Sequence, residues 1–230
     1  MKGYIMDIAE FPTQDLIKIV SDLLESMLKA NNQIPNTQIT YFHSRAVPSI
    51  TVLTYLTRIH KFAPFTNEAL LSILIYFDAI AKLENGFTIN SYNIHRLLIT
   101  SIVVASKFTS DIFYANSRYA KVGGIPLREL NQLELEFLFL IDFQLHVTLE
   151  NLQAYADQLL SHAMSLPNPI TLQQNTIIHH YIHHPNPNIS IVAPLTPPYN
   201  PTPITMKRKS SYQPHTTKKR RLGLVSPKED

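Results

Sequence analysis

The run LLITSIVVAS, from Leu97 to Ser106, carries no charged side chain on any side of a helix. A helix that is uncharged and largely apolar all round normally lies in the buried centre of a helical domain. The pattern that contains the run begins near Asn90 or Ser91, and Lys107 is the first charge after it. We therefore expect one central helix, with the rest of the domain packed around it.

Amphipathic patterns with a helical period lie on both sides of this run. They predict six further helices, at 13–31, from Pro48, from a Thr66 cap to Asn85-Gly86, at 115–121, from Pro126 and from a Thr148 cap. No segment sustains the period-two alternation of a strand, so we predict no sheet. The predicted fold class is all-α, with five consecutive helices, an extra N-terminal helix and a following C-terminal helix.

Charge and proline content divide the chain near residue 165. Residues 1–165 hold 12 Lys and Arg against 15 Asp and Glu, a net charge of −3, whereas residues 166–230 hold 8 against 2, a net charge of +6. Of the 16 prolines, 11 follow residue 165. A segment rich in Pro, Asn and His does not bury enough apolar surface to offset its ordering entropy. We therefore predict a globular domain over 1–165 and a disordered basic tail over 166–230.

Composition also narrows the class of protein. Hydrophobic residues make up 45% of the chain, and there is no cysteine to form a disulfide or a thiolate metal site. The longest apolar runs hold four or five residues, against the roughly 20 that cross a membrane, and Met1 to Glu10 lacks the apolar region of a secretory signal. His179-His180 and His183-His184 resemble a metal tract, but no carboxylate or cysteine is near, so low-complexity sequence is the preferred interpretation. We expect a soluble intracellular protein with no cofactor, no metal and no membrane partner.

Four groups of residues along the helical domain form one pattern. They are Phe42-His43-Ser44-Arg45 with Pro48-x-Ile50-x-Val52-x-x-Tyr55-Leu56-x-Arg58-Ile59-x-Lys61-Phe62; Asn93-x-His95-Arg96-Leu97 with Val104-Ala105-Ser106-Lys107-Phe108; Ser110-Asp111 with Tyr114-x-Asn116-x-Arg118-Tyr119-Ala120-Lys121-Val122-Gly123-Gly124-Ile125; and Glu129-Leu130-Asn131-x-Leu133-Glu134-x-x-Phe137-Leu138. The pattern resembles the cyclin box over about residues 12–162. More narrowly, it is similar to the phosphate-signalling cyclins of fungi, which have relatives in protists and plants.

This resemblance implies a regulatory subunit of a cyclin-dependent protein kinase, with no enzymatic activity of its own. The cyclin box would span about 42–162, and the helix at 13–31 would precede it. Such a subunit forms a heterodimer with the kinase, rotates the C-helix of the kinase inward and orders its activation loop. In phosphate-type fungal systems the usual output is phosphorylation of a transcription factor. We therefore expect a role in phosphate or nutrient signalling, with kinase substrates or inhibitors as further partners.

Two charges stand out in the sequence and gain a role from the resemblance. Lys107 is the first charge after ten uncharged helical positions, and a cation there also suits a helix C-terminus. Glu134 lies on or beside an apolar stripe, where a carboxylate must find donors or stay exposed. In cyclins the matching lysine contacts backbone carbonyls of the kinase, and the matching glutamate accepts hydrogen bonds from its backbone. The resemblance thus implies that Lys107 and Glu134 form a two-charge clamp on the kinase.

Asp111 is a third candidate kinase-binding residue. Phosphate-type cyclins carry an acid at this point, which can pair with an arginine near the activation loop of the kinase and partly replace an activating phosphate. The alternative is that Asp111 caps the short helix that follows it.

The tail carries candidate signals for address and regulation. Two basic clusters predict nuclear import, namely Lys207, Arg208 and Lys209, then Lys218, Lys219, Arg220 and Arg221. Three minimal proline-directed phosphorylation sites are Thr196, Thr202 and Ser226. We expect the protein in the nucleus, and also in the cytoplasm.

The alternative function is that of a nucleic-acid-binding protein of the same fold, as in transcription factors with cyclin-like repeats. Those proteins have two repeats with basic faces. Here there is one box with a net negative charge, so we expect no direct contact with nucleic acid. An enzyme is a weaker alternative, because no catalytic triad, metal motif or phosphate-binding loop is present, and Gly123-Gly124 follows no strand.

Overall fold

The structure is a computed structural model that describes residues 3–35, 39–84, 86–165 and 178–181. Its helices are α1 (Thr13–Asn31), α2 (Val52–Phe62), α3 (Asn67–Leu83), α4 (Ile94–Thr109), α5 (Asn116–Gly123), α6 (Leu127–Leu140) and α7 (Leu149–Ser165). Its strands are β1 (Gly3–Met6) and β2 (Ile178–Tyr181). The prediction of an all-α fold is confirmed: α2 to α6 are the five consecutive helices, with α1 before them and α7 after them.

Helix α4 is the centre of the helical domain. Every residue from Leu97 to Ser106 is buried, and α4 packs against α2, α3, α5 and α6. Its buried hydroxyls bond to the helix itself, with Thr100 donating to the Arg96 carbonyl at 2.7 Å and Ser101 donating to that of Leu98 at 3.1 Å. Buried polar groups are normally paired in this way, so these side chains fit an otherwise apolar core. The central position expected from the uncharged run is confirmed.

Helix ends follow local capping chemistry. The predicted caps Thr66 and Thr148 are confirmed, because their hydroxyls accept bonds from the backbone N–H groups of Ala69 at 3.2 Å and Asn151 at 3.3 Å. The predicted start of α2 at Pro48 is wrong. Thr51 caps that helix through a bond from the Thr54 N–H at 3.2 Å, so the chain turns helical only at Val52.

A small antiparallel sheet corrects the prediction that there is none. β1 pairs with β2, with Gly3 opposite Tyr181 and Met6 opposite Ile178. Helix α7 holds the inner end of β1, because Asp157 accepts from the Met6 N–H and Gln153 donates to the Met6 carbonyl, both at 2.8 Å. Strands of four residues are too short to show an alternating pattern, which explains why the sequence does not reveal them.

β2 lies beyond the predicted domain boundary at residue 165, and that boundary stays a prediction. The two basic clusters, the three proline-directed sites, and His183 and His184 lie outside the described residues; of the predicted tail, the structure describes the β2 backbone alone. Across the described ranges, no helix combines the length and apolar character needed to cross a bilayer.

Candidate functional site

Lys107 and Glu134 meet at one edge of the α4–α6 pair. Lys107 lies in the last turn of α4 and Glu134 in the middle of α6. The Lys107 ammonium donates to Oε1 of Glu134 at 2.5 Å, and their side chains are 30% and 17% exposed. The two charges that stand out in the sequence are thus joined in an ion pair. Their role toward a kinase stays a prediction at this point.

Asn116 completes this site, and the sequence analysis did not assign it a role. Its Nδ2 donates to Oε2 of Glu134 at 2.7 Å and to Oδ1 of Asn131 at 2.8 Å. The two oxygens of Glu134 therefore have different donors, one on α4 and one at the start of α5. The sequence signal for Asn116 is its place in the Tyr114-x-Asn116-x-Arg118 spacing. A neutral amide there is a weaker indication of a site than a charge on an apolar stripe.

The pair retains hydrogen-bonding capacity for a partner. A lysine ammonium has three donors, and a carboxylate has about four acceptor positions. One Lys107 donor and two Glu134 positions are used within the described part of the chain. The partly exposed pair can therefore still donate to a carbonyl and accept from an N–H without breaking its internal contacts.

Exposed apolar side chains lie on the same elements as the pair. Phe108 is 48% exposed directly after Lys107, and on α6 Leu135 and Phe139 are 52% and 66% exposed. In the segment after α4, Ile112 and Phe113 are 84% and 50% exposed. Exposed apolar side chains next to polar groups are typical of protein interaction surfaces. We call Phe108, Ile112, Phe113, Leu135 and Phe139, which lie on α4, on α6 or in the segment after α4, the apolar rim.

Asp111 is exposed in the segment between α4 and α5. The N-cap of α5 is Ala115, which receives no side-chain cap bond, so the interpretation of Asp111 as a helix cap is wrong. Among the described residues, the structure gives Asp111 no ion pair with Lys107 and no hydrogen bond to Glu134 or Asn116. Asp111 directly precedes Ile112 and Phe113 of the apolar rim.

The described ranges contain no cluster of three or more His, Asp or Glu side chains that could hold a metal ion. The site is therefore built from an ion pair, an amide and apolar side chains. Such a set offers hydrogen bonds and burial to a protein partner, without an arrangement of nucleophile and base.

Comparison with known proteins agrees with this description. The family model described as Cyclin matches residues 15–145. PHO85 cyclin-7 of Saccharomyces cerevisiae is 46% identical over 180 residues, which cover 67% of this chain and 63% of that protein. PHO85 cyclin-like protein psl1 of Schizosaccharomyces pombe is 46% identical over 173 residues, covering 68% and 71%. Cyclin-U4-1 of Arabidopsis thaliana is 40% identical over 162 residues, covering 68% and 80%. The matched part of the chain thus spans less than two thirds of the length of PHO85 cyclin-7.

Proposed function

Because the chain belongs to the cyclin family, we propose that it is a regulatory subunit that binds and activates a cyclin-dependent protein kinase. The names of two fungal relatives tie those proteins to PHO85, which supports a kinase of that kind as the partner. The signal that fits this proposal is phosphate or another nutrient. The net charge of −3 on residues 1–165 disfavours the alternative of a nucleic-acid-binding protein.

The Lys107–Glu134 ion pair, on helices that also carry exposed side chains of the apolar rim, is the observation that carries the proposal. A partner backbone presents carbonyls and N–H groups in fixed directions, and the ammonium and carboxylate can serve one of each. Phe108 and Phe139 would supply apolar area around these bonds and exclude water, which strengthens them. Asn116 positions Glu134 by occupying one of its oxygens.

Activation of the kinase depends on the position in which the chain holds the kinase C-helix. A kinase is active when the ion pair between its Lys and the Glu of its C-helix is formed and its metal-binding Asp is aligned. A rigid helical surface that binds the C-helix in the active position shifts the kinase toward that state, since it binds the active state more tightly. We place Asp111 where it can pair with an arginine of the kinase activation loop.

The test compares two ion pairs that join the same two helices. Lys107→Ala with Glu134→Ala is expected to weaken kinase binding by about 2–5 kcal/mol, on the order of 30- to 5,000-fold. The matched control is Arg96→Ala with Glu129→Ala, because Arg96 and Glu129 also pair between α4 and α6, at 2.6 Å, near the start of each helix. Binding is measured by titration against the purified kinase, and activation by phosphorylation of a generic peptide.

Thermal unfolding of each free variant separates binding from folding. Partly exposed ion pairs contribute about 0–1 kcal/mol to stability, so both double variants should remain folded. Wild-type affinity in the Lys107/Glu134 variant would refute the assignment. A loss of affinity that only matches a loss of folded protein would show a structural role for the pair.

A further inference from the structure

A second site lies between α2, the start of α4 and the end of α5. It is a cavity of about 350 Å³ whose polar lining includes Arg58 from α2, His95 and Arg96 from α4, and the backbone of Gly123 and Gly124. These residues come from three separate stretches of the cyclin-like pattern. None of them belongs to the Lys107–Glu134 site, so the proposed kinase contact leaves them without a role.

Arg58 brings an uncompensated positive charge to this cavity. Its Nε is buried without a hydrogen-bond partner, and its guanidinium lies over the Tyr55 ring, 5.2 Å from the ring centroid. Within the described residues, Arg58 forms no ion pair, whereas Arg96 is neutralised by Glu129. A partly buried cation without an anion is costly, and that cost is recovered when an anion binds.

His95 lies in the same positively charged environment as Arg58. Its Nε2–H donates to the Ile50 carbonyl at 2.9 Å, which leaves Nδ1 buried and without a partner. Burial lowers the pKa of His95, and the charge of Arg58 lowers this pKa further. The charged and titratable groups around the ring are Tyr55 and Arg58 on α2, Arg96 on α4 and, beyond Arg96, Glu129 on α6. An anion beside Arg58 would reverse that effect and favour a proton on Nδ1.

The remaining walls suit a peptide better than a free ion. Pro48, Ile50 and Ile125 give the cavity an apolar side, and Gly123 and Gly124 place bare backbone at its edge. A Cβ added at Gly124 would lie 3.8 Å from Nη2 of Arg58, so the backbone here already approaches the guanidinium closely. Sites of about 300–1,000 Å³ typically hold groups larger than a single tetrahedral ion.

We propose that this cavity binds the phosphate group of a phosphorylated serine or threonine in a partner peptide, with Arg58 as its charged donor. Arginine suits this task because its planar fork of N–H groups matches phosphate oxygens. The apolar wall then contacts residues beside the phosphorylated one. The proposal does not depend on kinase binding, since the two sites share no residue.

The test uses the full chain and a fluorescent short peptide with one phosphoserine between leucines. Fluorescence anisotropy compares it with the unphosphorylated peptide, and inorganic phosphate serves as competitor. Arg58→Gln is expected to weaken phosphopeptide binding about 10- to 100-fold. Arg118→Gln is the matched control, because Arg118 also stacks on a tyrosine, 4.0 Å above the Tyr114 ring, but outside the cavity. Lys107→Ala should bind the phosphopeptide like the wild type even where it loses the kinase.

Two further measurements keep the test decisive if Arg58→Gln folds poorly. Arg58→Lys keeps the charge without the fork and should give intermediate affinity. In the wild-type chain, the phosphopeptide should shift the NMR signals of the His95 ring and raise its pKa, with exposed His146 as the reference. Equal binding of the phosphorylated and unphosphorylated peptides, or unchanged binding in a folded Arg58→Gln variant, overturns the proposal. Inorganic phosphate binding as tightly as the phosphopeptide overturns the peptide assignment.

Discussion

Gly123 shows how tightly single residues are fitted into this domain. It ends α5 against α4, and a Cβ built on it would lie 2.8 Å from Cγ1 of buried Ile99. The Tyr55 hydroxyl also donates to the Gly123 carbonyl, at 3.2 Å. The absence of a side chain is what lets α5 lie this close to the central helix.

We expect Gly123→Ala to destabilise the protein by about 1–3 kcal/mol, the usual cost of overpacking a core. Ile99 is β-branched and enclosed, so its Cγ1 has little freedom to move away. Urea unfolding measures the effect, with Ser117→Ala on the exposed side of the same helix as the control, expected within about 0.5 kcal/mol of wild type. A wild-type midpoint for Gly123→Ala would show that α4 and α5 separate easily.

Three partly buried histidines predict how stability depends on pH. Burial lowers the pKa values of His43, His60 and His95 below the ordinary value of 6.5. Below pH 6.5 the unfolded chain therefore binds more protons than the folded one, so stability is complete above about pH 7 and falls as the pH drops toward 5. Urea unfolding at pH 7.5 and 5.5 measures this loss.

His95→Gln should reduce the pH dependence while keeping a donor for the Ile50 carbonyl. Exposed His146→Gln is the control for the loss of an imidazole at the surface. An identical pH dependence in wild type and His95→Gln would contradict the assignment of a neutral, partly buried His95.

Residues with conflicting local signals were the ones that sequence could identify. Lys107 and Glu134 were predictable because each places a charge where its helix is otherwise apolar. Asn116 and Arg58 were not assigned roles, since an amide at a helix start and an arginine on an amphipathic helix are both ordinary. Their importance depends on which distant residues they meet, such as Glu134 for Asn116 and Tyr55 for Arg58, and that information is set by packing.

At the scale of elements, the central helix and the order of the helices follow from sequence, whereas their ends and the strands do not. An uncharged helical run such as Leu97 to Ser106 is favourable only when the helix is buried on all sides. The start of α2 was misplaced because Pro48 and Thr51 both suit a helix N-terminus, and only the bond to the Thr54 N–H decides between them. β1 and β2 lie far apart in sequence, so nothing local to either strand predicts their pairing.

Removal of β2 tests the predicted boundary at residue 165. The chain 1–165 should unfold cooperatively and bind the kinase, because Met6 keeps its bonds to Gln153 and Asp157 on α7 when β2 is absent. Hydrogen exchange of the β1 amides should be faster than in chain 1–184. Thermal unfolding and a kinase titration of both chains measure this. An aggregated or unfolded 1–165 chain beside a sound 1–184 chain would move the boundary beyond β2.

At the scale of the whole molecule, charge is divided between an acidic helical domain and a basic C-terminal segment. We propose that the basic clusters direct the protein to the nucleus. The two clusters together contain seven basic residues: Lys207, Arg208, Lys209, Lys218, Lys219, Arg220 and Arg221. Replacing all seven by alanine should abolish nuclear accumulation of a fluorescent fusion without affecting kinase binding by the purified protein. The control is the triple variant Thr196→Ala, Thr202→Ala and Ser226→Ala, which leaves the basic charges of the segment in place. Unchanged accumulation in the seven-residue variant would refute this role.

The composition of the buried helix α4 has a consequence for the unfolded protein. Ile99 to Ala105 is rich in β-branched residues, uncharged and free of proline and glycine, which is the composition of segments that assemble into cross-β fibrils. In the folded chain this segment is helical and enclosed, so no strand edge is offered to another molecule. During synthesis or heat stress the same residues are exposed and can associate with other chains. No charged residue within the segment opposes this association. Each variant that loosens the packing around α4 should therefore expose this segment more often and speed aggregation on heating.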